Sequence, residues 1–164
     1  MVETIIEFIS VLLTVAYLVI VGSFIRGWNR LKEPAAPRKD FSTRVSVLIA
    51  ARNEEQAIGR CLNAVFSQEY PPHLLEVIVI DDHSTDRTAE VAAVFGRPGP
   101  GRPEFRLIKM NERKPINSYK KKAIARAIEV ARGELIVTTD ADCWMGPRWL
   151  ATVVTAYEEQ GYKL

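Results

Sequence analysis

The chain of 164 residues has only two cysteines and two histidines. Cys61 and Cys143 lie far apart, with no Cys-x-x-Cys and no histidine at ligand spacing. That pattern argues against a disulfide framework or a zinc site and leaves two reduced thiols. Glycine is missing where a phosphate-cradling loop would need it. The stretch ARNEEQAIGR, after the first strand-like run, contains neither GxGxxG nor GxxxxGK[ST], so the backbone cradle of a dinucleotide or P-loop site is absent. A dominant basic surface is absent too. The net charge is +2, and residues 26–40 alone carry Arg26, Arg30, Lys32, Arg38 and Lys39 against Glu33 and Asp40. The remainder is nearly balanced, which speaks against a nucleic-acid partner. Internal repeats and low-complexity tracts are also lacking.

What the sequence does have is one long apolar run. FISVLLTVAYLVIVGSFI, Phe8 to Ile25, is free of charge and matches the roughly 20 residues of a bilayer-spanning helix. A signal peptide would lead with basic residues and end at a small-residue cleavage site, whereas Glu3 and Glu7 precede this run and Arg26 and Trp28 follow it. A retained anchor over residues 1–25 and a basic juxtamembrane linker over 26–44 are the expectation. The basic flank places everything after residue 25 in the cytoplasm, so the expectation is a membrane crossed once, with the soluble part on the cytoplasmic side.

After the linker, strand-like and helix-like segments alternate. VSVLIAA (Val45 to Ala51), LEVIVI (Leu75 to Ile80), FRLIKM (Phe105 to Met110) and ELIVTT read as strands. Between them, Ile58, Cys61, Leu62, Val65 and Phe66 mark one helix face over Glu55 to Gln68. Ser84-Thr85-Asp86 supplies capping chemistry for a helix over Thr88 to Phe95. Ile124, Ala127, Ile128 and Ala131 mark a third helix, ending at Gly133, and Trp149 to Glu159 a fourth. The alternation predicts an α/β fold: a mostly parallel sheet with helices on both faces, binding its ligand beyond the carboxyl ends of the strands.

Polar clusters sit at those ends: Arg52-Asn53-Glu54-Glu55, Asp81-Asp82-His83-Ser84 and Asp140-Ala141-Asp142. Taken singly, each has a bland reading as a cap or a loop. Together they place repelling carboxylates on one sheet edge, which a cation or a ligand's donors would compensate. Asp140 and Asp142 are hard oxygen ligands suited to magnesium or manganese, and such a metal keeps positions open for a diphosphate. Asp82 is placed to accept hydrogen bonds from a base or ribose. Lys120, Lys121 and Lys122 open a helix and are either a solvated face or a phosphate contact.

VSVLIAARNEE, VIVIDDHSTDRT, KKKAIARAI, ARGELIVTTDADC and GPRWL, in this order, resemble the family 2 glycosyltransferases of the GT-A fold, in particular bacterial membrane-associated members. The resemblance spans residues 45–164. It implies that Ala50, Ala51, Arg52, Asn53 and Glu54 line a nucleotide pocket with Asp81 and Asp82, and that Asp82 contacts the base. It further implies that Lys120 and Asp140 approach the phosphates, and that Asp140 and Asp142 hold a divalent metal. The sequence departs from the common family pattern at Tyr119, where many members have Gly, and at Arg52, where many have Tyr. The donor implied is a nucleotide-sugar, with UDP favoured. The reaction implied is inverting transfer to an envelope or polysaccharide acceptor.

Family members continue past the last helix into a further strand and an acidic catalytic base. The expectation is therefore a donor-binding part of a catalytic domain, its base lying beyond residue 164. Three rivals stand beside this reading. A nucleotidyltransferase would want a Gly-rich first loop. A phospho-receiver would carry its acidic pair after the first strand. A non-catalytic membrane-tethered module would bind no nucleoside diphosphate.

Overall fold

The computed structural model describes residues 1–30, 40–110 and 119–160, without the side chains of Tyr119, Lys120 and Gln160. Most of the expected linker, residues 31–39, lies outside them. The chain forms two units that divide between residues 34 and 35.

The first unit is one helix, α1 (Val2–Trp28). Its 27 residues rise about 40 Å, enough to cross a hydrocarbon core of about 30 Å. None of its residues is buried. Two hydroxyls within the apolar run are satisfied by their own helix: Thr14 Oγ1 donates to Ser10 O (2.8 Å) and Ser23 Oγ to Ile20 O (2.7 Å). Among the described residues this is the one helix long and apolar enough to span a bilayer.

The second unit is built on a parallel sheet ordered β3-β2-β1-β4. Its strands are β1 (Val45–Ala51), β2 (Leu75–Asp82), β3 (Glu104–Met110) and β4 (Leu135–Asp140). The helices are α2 (Ile58–Phe66), α3 (Thr88–Ala93), α4 (Tyr119–Val130) and α5 (Trp149–Gln160). Side chains alternate across each strand, so the two faces collect different cores. Val45, Val47, Ile49, Val77 and Val79 pack with Ile58, Cys61, Leu62 and Val65 of α2 and with Leu150 and Val154 of α5. Leu48, Ile78 and Ile80 on the opposite face pack with Ala123 and Ala127 of α4. This is the α/β sandwich that the alternating pattern predicts.

Several boundaries differ from the sequence reading, each for a local reason. β2 runs on through Asp81 and Asp82 because Lys109 and Met110 of β3 continue the pairing. β4 likewise includes Asp140, paired with Ala50. The carboxylates therefore stand on strand ends rather than in loose loops. Helix α2 begins at Ile58 and not at Glu55, since Ala57 N and Ile58 N both donate to Glu54 O in a turn (3.0 and 2.9 Å). Helix α3 stops at Ala93 and tightens into a 3₁₀ turn over Val94–Gly96. In α4 the buried face is rotated from the expected one: Ala123 is buried, while Ile128 is 48% exposed.

At the amino end of the sheet a charge is buried within an apolar run. Glu76 is fully buried in β2. It accepts from Ser46 Oγ (2.5 Å), Arg106 Nη2 (2.6 Å) and Arg132 N (2.9 Å). Gly133 N in turn donates to Ser46 Oγ (2.8 Å). This network holds the α4–β4 connection against β1, so Gly133 serves close approach to that strand, in a segment that follows a helix already ended at Val130.

Candidate functional site

The strand order reverses direction beside β1: β2 and β3 lie to one side and β4 to the other. Such a switch point opens a crevice at the carboxyl ends of the two flanking strands. A cavity of about 320 Å³ lies there, lined by Ala50, Ala51, Arg52, Glu54, Asp82, Asp140, Ala141 and Asp142. The volume falls within the range usual for small-molecule sites. Residue size and strand register explain the opening. Ala50 sits between Ile80 and Asp140 in the ladder, and its methyl leaves room where a larger side chain would fill the crevice.

Two of the predicted residues are placed elsewhere. Asn53 and Asp81 do not line the cavity, and the side chain of Lys120 lies outside the described residues. Asn53 has a left-handed backbone (φ 55°) and turns toward the segment after β2. Its Oδ1 accepts from Thr85 N (2.8 Å), and its N–H donates to Ser84 Oγ (3.0 Å). Asp81, buried, accepts from Ser84 N (3.3 Å). The structure brings together the others: Ala50, Ala51, Arg52, Glu54, Asp82, Asp140 and Asp142 share the cavity.

Ala141 explains how both aspartates of the Asp-Ala-Asp element reach it. Ala141 is 3% exposed and part of the core, so its neighbours Asp140 and Asp142 fall on the outer side, both exposed. The turn is pinned from beneath. The Asp140 carbonyl accepts from the thiol of Cys61 (3.5 Å) and from Cys143 N (3.2 Å). Burial, with Cys143, Asp142 and Asp140 nearby, pushes the Cys61 thiol up to about 11, so it stays a protonated donor. Farther along, the buried Gln68 at the α2 end donates to Gly146 O (2.8 Å) and accepts from Leu150 N (2.9 Å). It ties the following loop and the start of α5 to α2. Nothing in the local sequence marks Gln68, because a glutamine past a helix end is ordinarily solvated.

On the opposite wall, Asp82 is 4% exposed and its Oδ1 lies 2.8 Å from Nδ1 of His83, a residue with φ 57°. Asp86, expected as capping chemistry for α3, also reaches the segment after β1. Its Oδ1 accepts from Thr88 N (3.0 Å) and Thr88 Oγ1 (2.5 Å), and its Oδ2 from Glu55 N (3.1 Å). Desolvation raises its carboxyl, yet the Thr88 hydroxyl and the amides of Thr88 and Glu55 outweigh it and hold the group below its ordinary range. The local bond to Thr88 N is the capping role the sequence offers, whereas the bond from Glu55 N depends on a segment 31 residues away.

Among the described lining residues the chemistry is lopsided: Glu54, Asp82, Asp140 and Asp142 share the cavity with one guanidinium, Arg52. A diphosphate entering alone would meet net negative charge. Asp140 and Asp142 are hard oxygen donors that would hold a divalent cation, and such an ion would offset that charge. Among the described residues no group of three or more His, Cys, Asp and Glu converges on a metal position.

Residues 46–164 match the sequence profile of glycosyl transferase family 2. The chain belongs to that family. Among its relatives, the probable glycosyltransferase YdaM of Bacillus subtilis is 38% identical over 60% of this chain and 23% of its own length. The beta-monoglucosyldiacylglycerol synthase of Nostoc is 31% identical over 71% of this chain and 24% of its own. The chain thus spans about a quarter of the length of these curated relatives. Among solved structures, the mannosyltransferase PcManGT of Pyrobaculum calidifontis, in complex with GDP-Man and Mn2+, superimposes with a TM-score of 0.72 at 28% identity. That alignment covers 90% of this chain and 42% of the mannosyltransferase. The family 2 assignment and the α/β fold of the GT-A type agree with the resemblance carried by the sequence motifs.

Proposed function

We propose that the cavity at the ends of β1, β2 and β4 holds the nucleoside diphosphate of a sugar donor, in a membrane-anchored inverting glycosyltransferase whose catalytic domain faces the cytoplasm. The observation that carries this reading is the convergence of Glu54, Asp82, Asp140, Asp142 and Arg52 on one switch-point cavity. Within it, Asp82 accepts from the base or ribose, while Ala50 and Ala51 leave the space the nucleoside fills. Asp140 and Asp142 hold magnesium or manganese. When bound, that ion neutralises charge on the departing diphosphate. Arg52 lines the same cavity and supplies a further counter-charge. The manganese and GDP-Man of the mannosyltransferase complex support a metal and a nucleotide-sugar; UDP is the nucleotide we favour by family resemblance. The apolar α1, with basic residues on its carboxyl side, supports the anchor and its orientation. The acceptor we infer is an envelope or polysaccharide component.

The test is calorimetry of the full-length protein in detergent with UDP and GDP, with and without Mn2+. The wild type is expected to bind in the presence of the metal. Asp142→Asn is expected to weaken metal-dependent binding at least about tenfold, with an unchanged circular dichroism spectrum. Unchanged affinity in the variant would show the metal assignment to be wrong.

A further inference from the structure

Thr88 opens α3, is polar, and is completely buried. Its hydroxyl has two partners on two different segments. It accepts from Glu54 N (2.7 Å), just after β1, and donates to Asp86 Oδ1 (2.5 Å), after β2. The same Asp86 carboxylate receives Glu55 N (3.1 Å). Parallel bonds cross the same gap: Asn53 N to Ser84 Oγ (3.0 Å), Thr85 N to Asn53 Oδ1 (2.8 Å) and Arg87 N to Glu55 Oε2 (3.0 Å).

The two segments so joined are the two that supply the nucleotide side of the cavity. Arg52 and Glu54 come from the first, and Asp82, the last residue of β2, leads into the second. Thr88 and Asp86 themselves are not among the lining residues. They act on the cavity through Glu54, whose amide has the Thr88 hydroxyl as its acceptor. A hydroxyl that both accepts and donates in a buried place has no apolar substitute. Replacing it with a methyl leaves a backbone N–H unpaired and costs the carboxylate a donor.

We propose that Thr88 is a positioning residue for the donor, its hydroxyl holding Glu54, and with it Arg52, at the distance from Asp82 that a bound nucleoside requires. The proposal rests on the donor-binding reading of the cavity. It separates two functions within that cavity. The clasp joins β1 to β2, whereas Asp140 and Asp142 stand on β4 and its turn, outside the clasp. Loss of the Thr88 hydroxyl therefore weakens nucleotide binding without touching the carboxylates that take the metal.

The experiment compares Thr88→Val, which keeps the shape and removes the hydroxyl, with Thr88→Ser, which keeps the hydroxyl. Both are made in the full-length protein. UDP and GDP affinities are measured by calorimetry in Mn2+, and Mn2+ alone by paramagnetic resonance. Thr88→Val is expected to lose about tenfold or more in nucleotide affinity, and Thr88→Ser no more than about threefold. Affinity for Mn2+ alone is expected to stay unchanged in both. Nucleotide affinity of Thr88→Val within twofold of wild type overturns the proposal, as does an equal loss in Thr88→Ser, which would assign the effect to packing. Should Thr88→Val fail to fold, Asp86→Asn takes its place with the same expected loss, and unchanged affinity there is equally fatal. A wild type that binds neither nucleotide in Mn2+ overturns the donor-binding reading and the proposal with it, an outcome distinct from binding that Thr88→Val leaves intact.

Discussion

Replacing Gly133 with alanine tests the packing that holds β4 in place. An added Cβ would lie 2.4 Å from Ser46 N, 2.7 Å from Ser46 Oγ and 2.7 Å from the Val45 carbonyl carbon. Comfortable contacts between non-bonded heavy atoms begin at about 3.5 Å, so the two segments must separate by about 1 Å. Neither partner can give way. Val45 and Ser46 belong to the central strand and are both fully buried. Overpacking of this kind costs about 1–3 kcal/mol. Separation also loosens the bond from Gly133 N to Ser46 Oγ, and Ser46 is itself a donor to the buried Glu76 carboxylate. We therefore expect a loss of about 3 kcal/mol, at the upper end of that range. For a domain of this size that corresponds to a fall of roughly 10–15 °C in melting temperature. The assay is thermal unfolding followed by near-ultraviolet circular dichroism. Gly146→Ala serves as control, since a methyl added there would have nothing within 4 Å and the change is expected to be near neutral. A Gly133→Ala protein melting within about 2 °C of wild type would refute the close-approach argument.

Two further outcomes follow from the thiols and from Asp86. Cys143 is exposed and Cys61 is buried with its thiol pushed up to about 11. Iodoacetamide at neutral pH is expected to add once to the native protein, at Cys143, and twice after unfolding. Mass spectrometry showing Cys61 labelled in the native state would contradict the burial. The Asp86 carboxyl is held below its ordinary value of 3.8, so its bonds to Thr88 and Glu55 stabilise the folded state fully above that pH. That contribution is lost as the pH falls through the lower, folded value. Asp86→Asn is therefore expected to flatten the acid limb of the stability curve below about pH 4, measured by urea midpoints. An acid limb as steep as that of the wild type would count against the clasp's charge.

The sequence carried much of this protein in short-range signals. β-branched runs alternating with a helical period specify strands and helices whatever their neighbours, and Ile58, Cys61, Leu62 and Val65 were legible as a buried face because their spacing alone puts them on one side. The motifs RNEE, DDHSTD and DAD could be assigned to one sheet edge from chain direction, since parallel strands end on the same side. Tertiary structure decided what depends on partners distant in the chain. Whether Asp81 and Asp82 belong to a strand turned on Lys109 and Met110. Asn53 was turned away from the cavity by Ser84 and Thr85, and Ile128 was left exposed because the sheet met α4 at Ala123 and Ala127. Gly133 looked like a helix cap and proved to be a contact with Ser46, a residue 87 positions earlier. Local sequence sets torsion and periodicity, but which carboxylate faces a ligand and which braces a loop is settled by hydrogen bonds between segments that meet only when the sheet has formed.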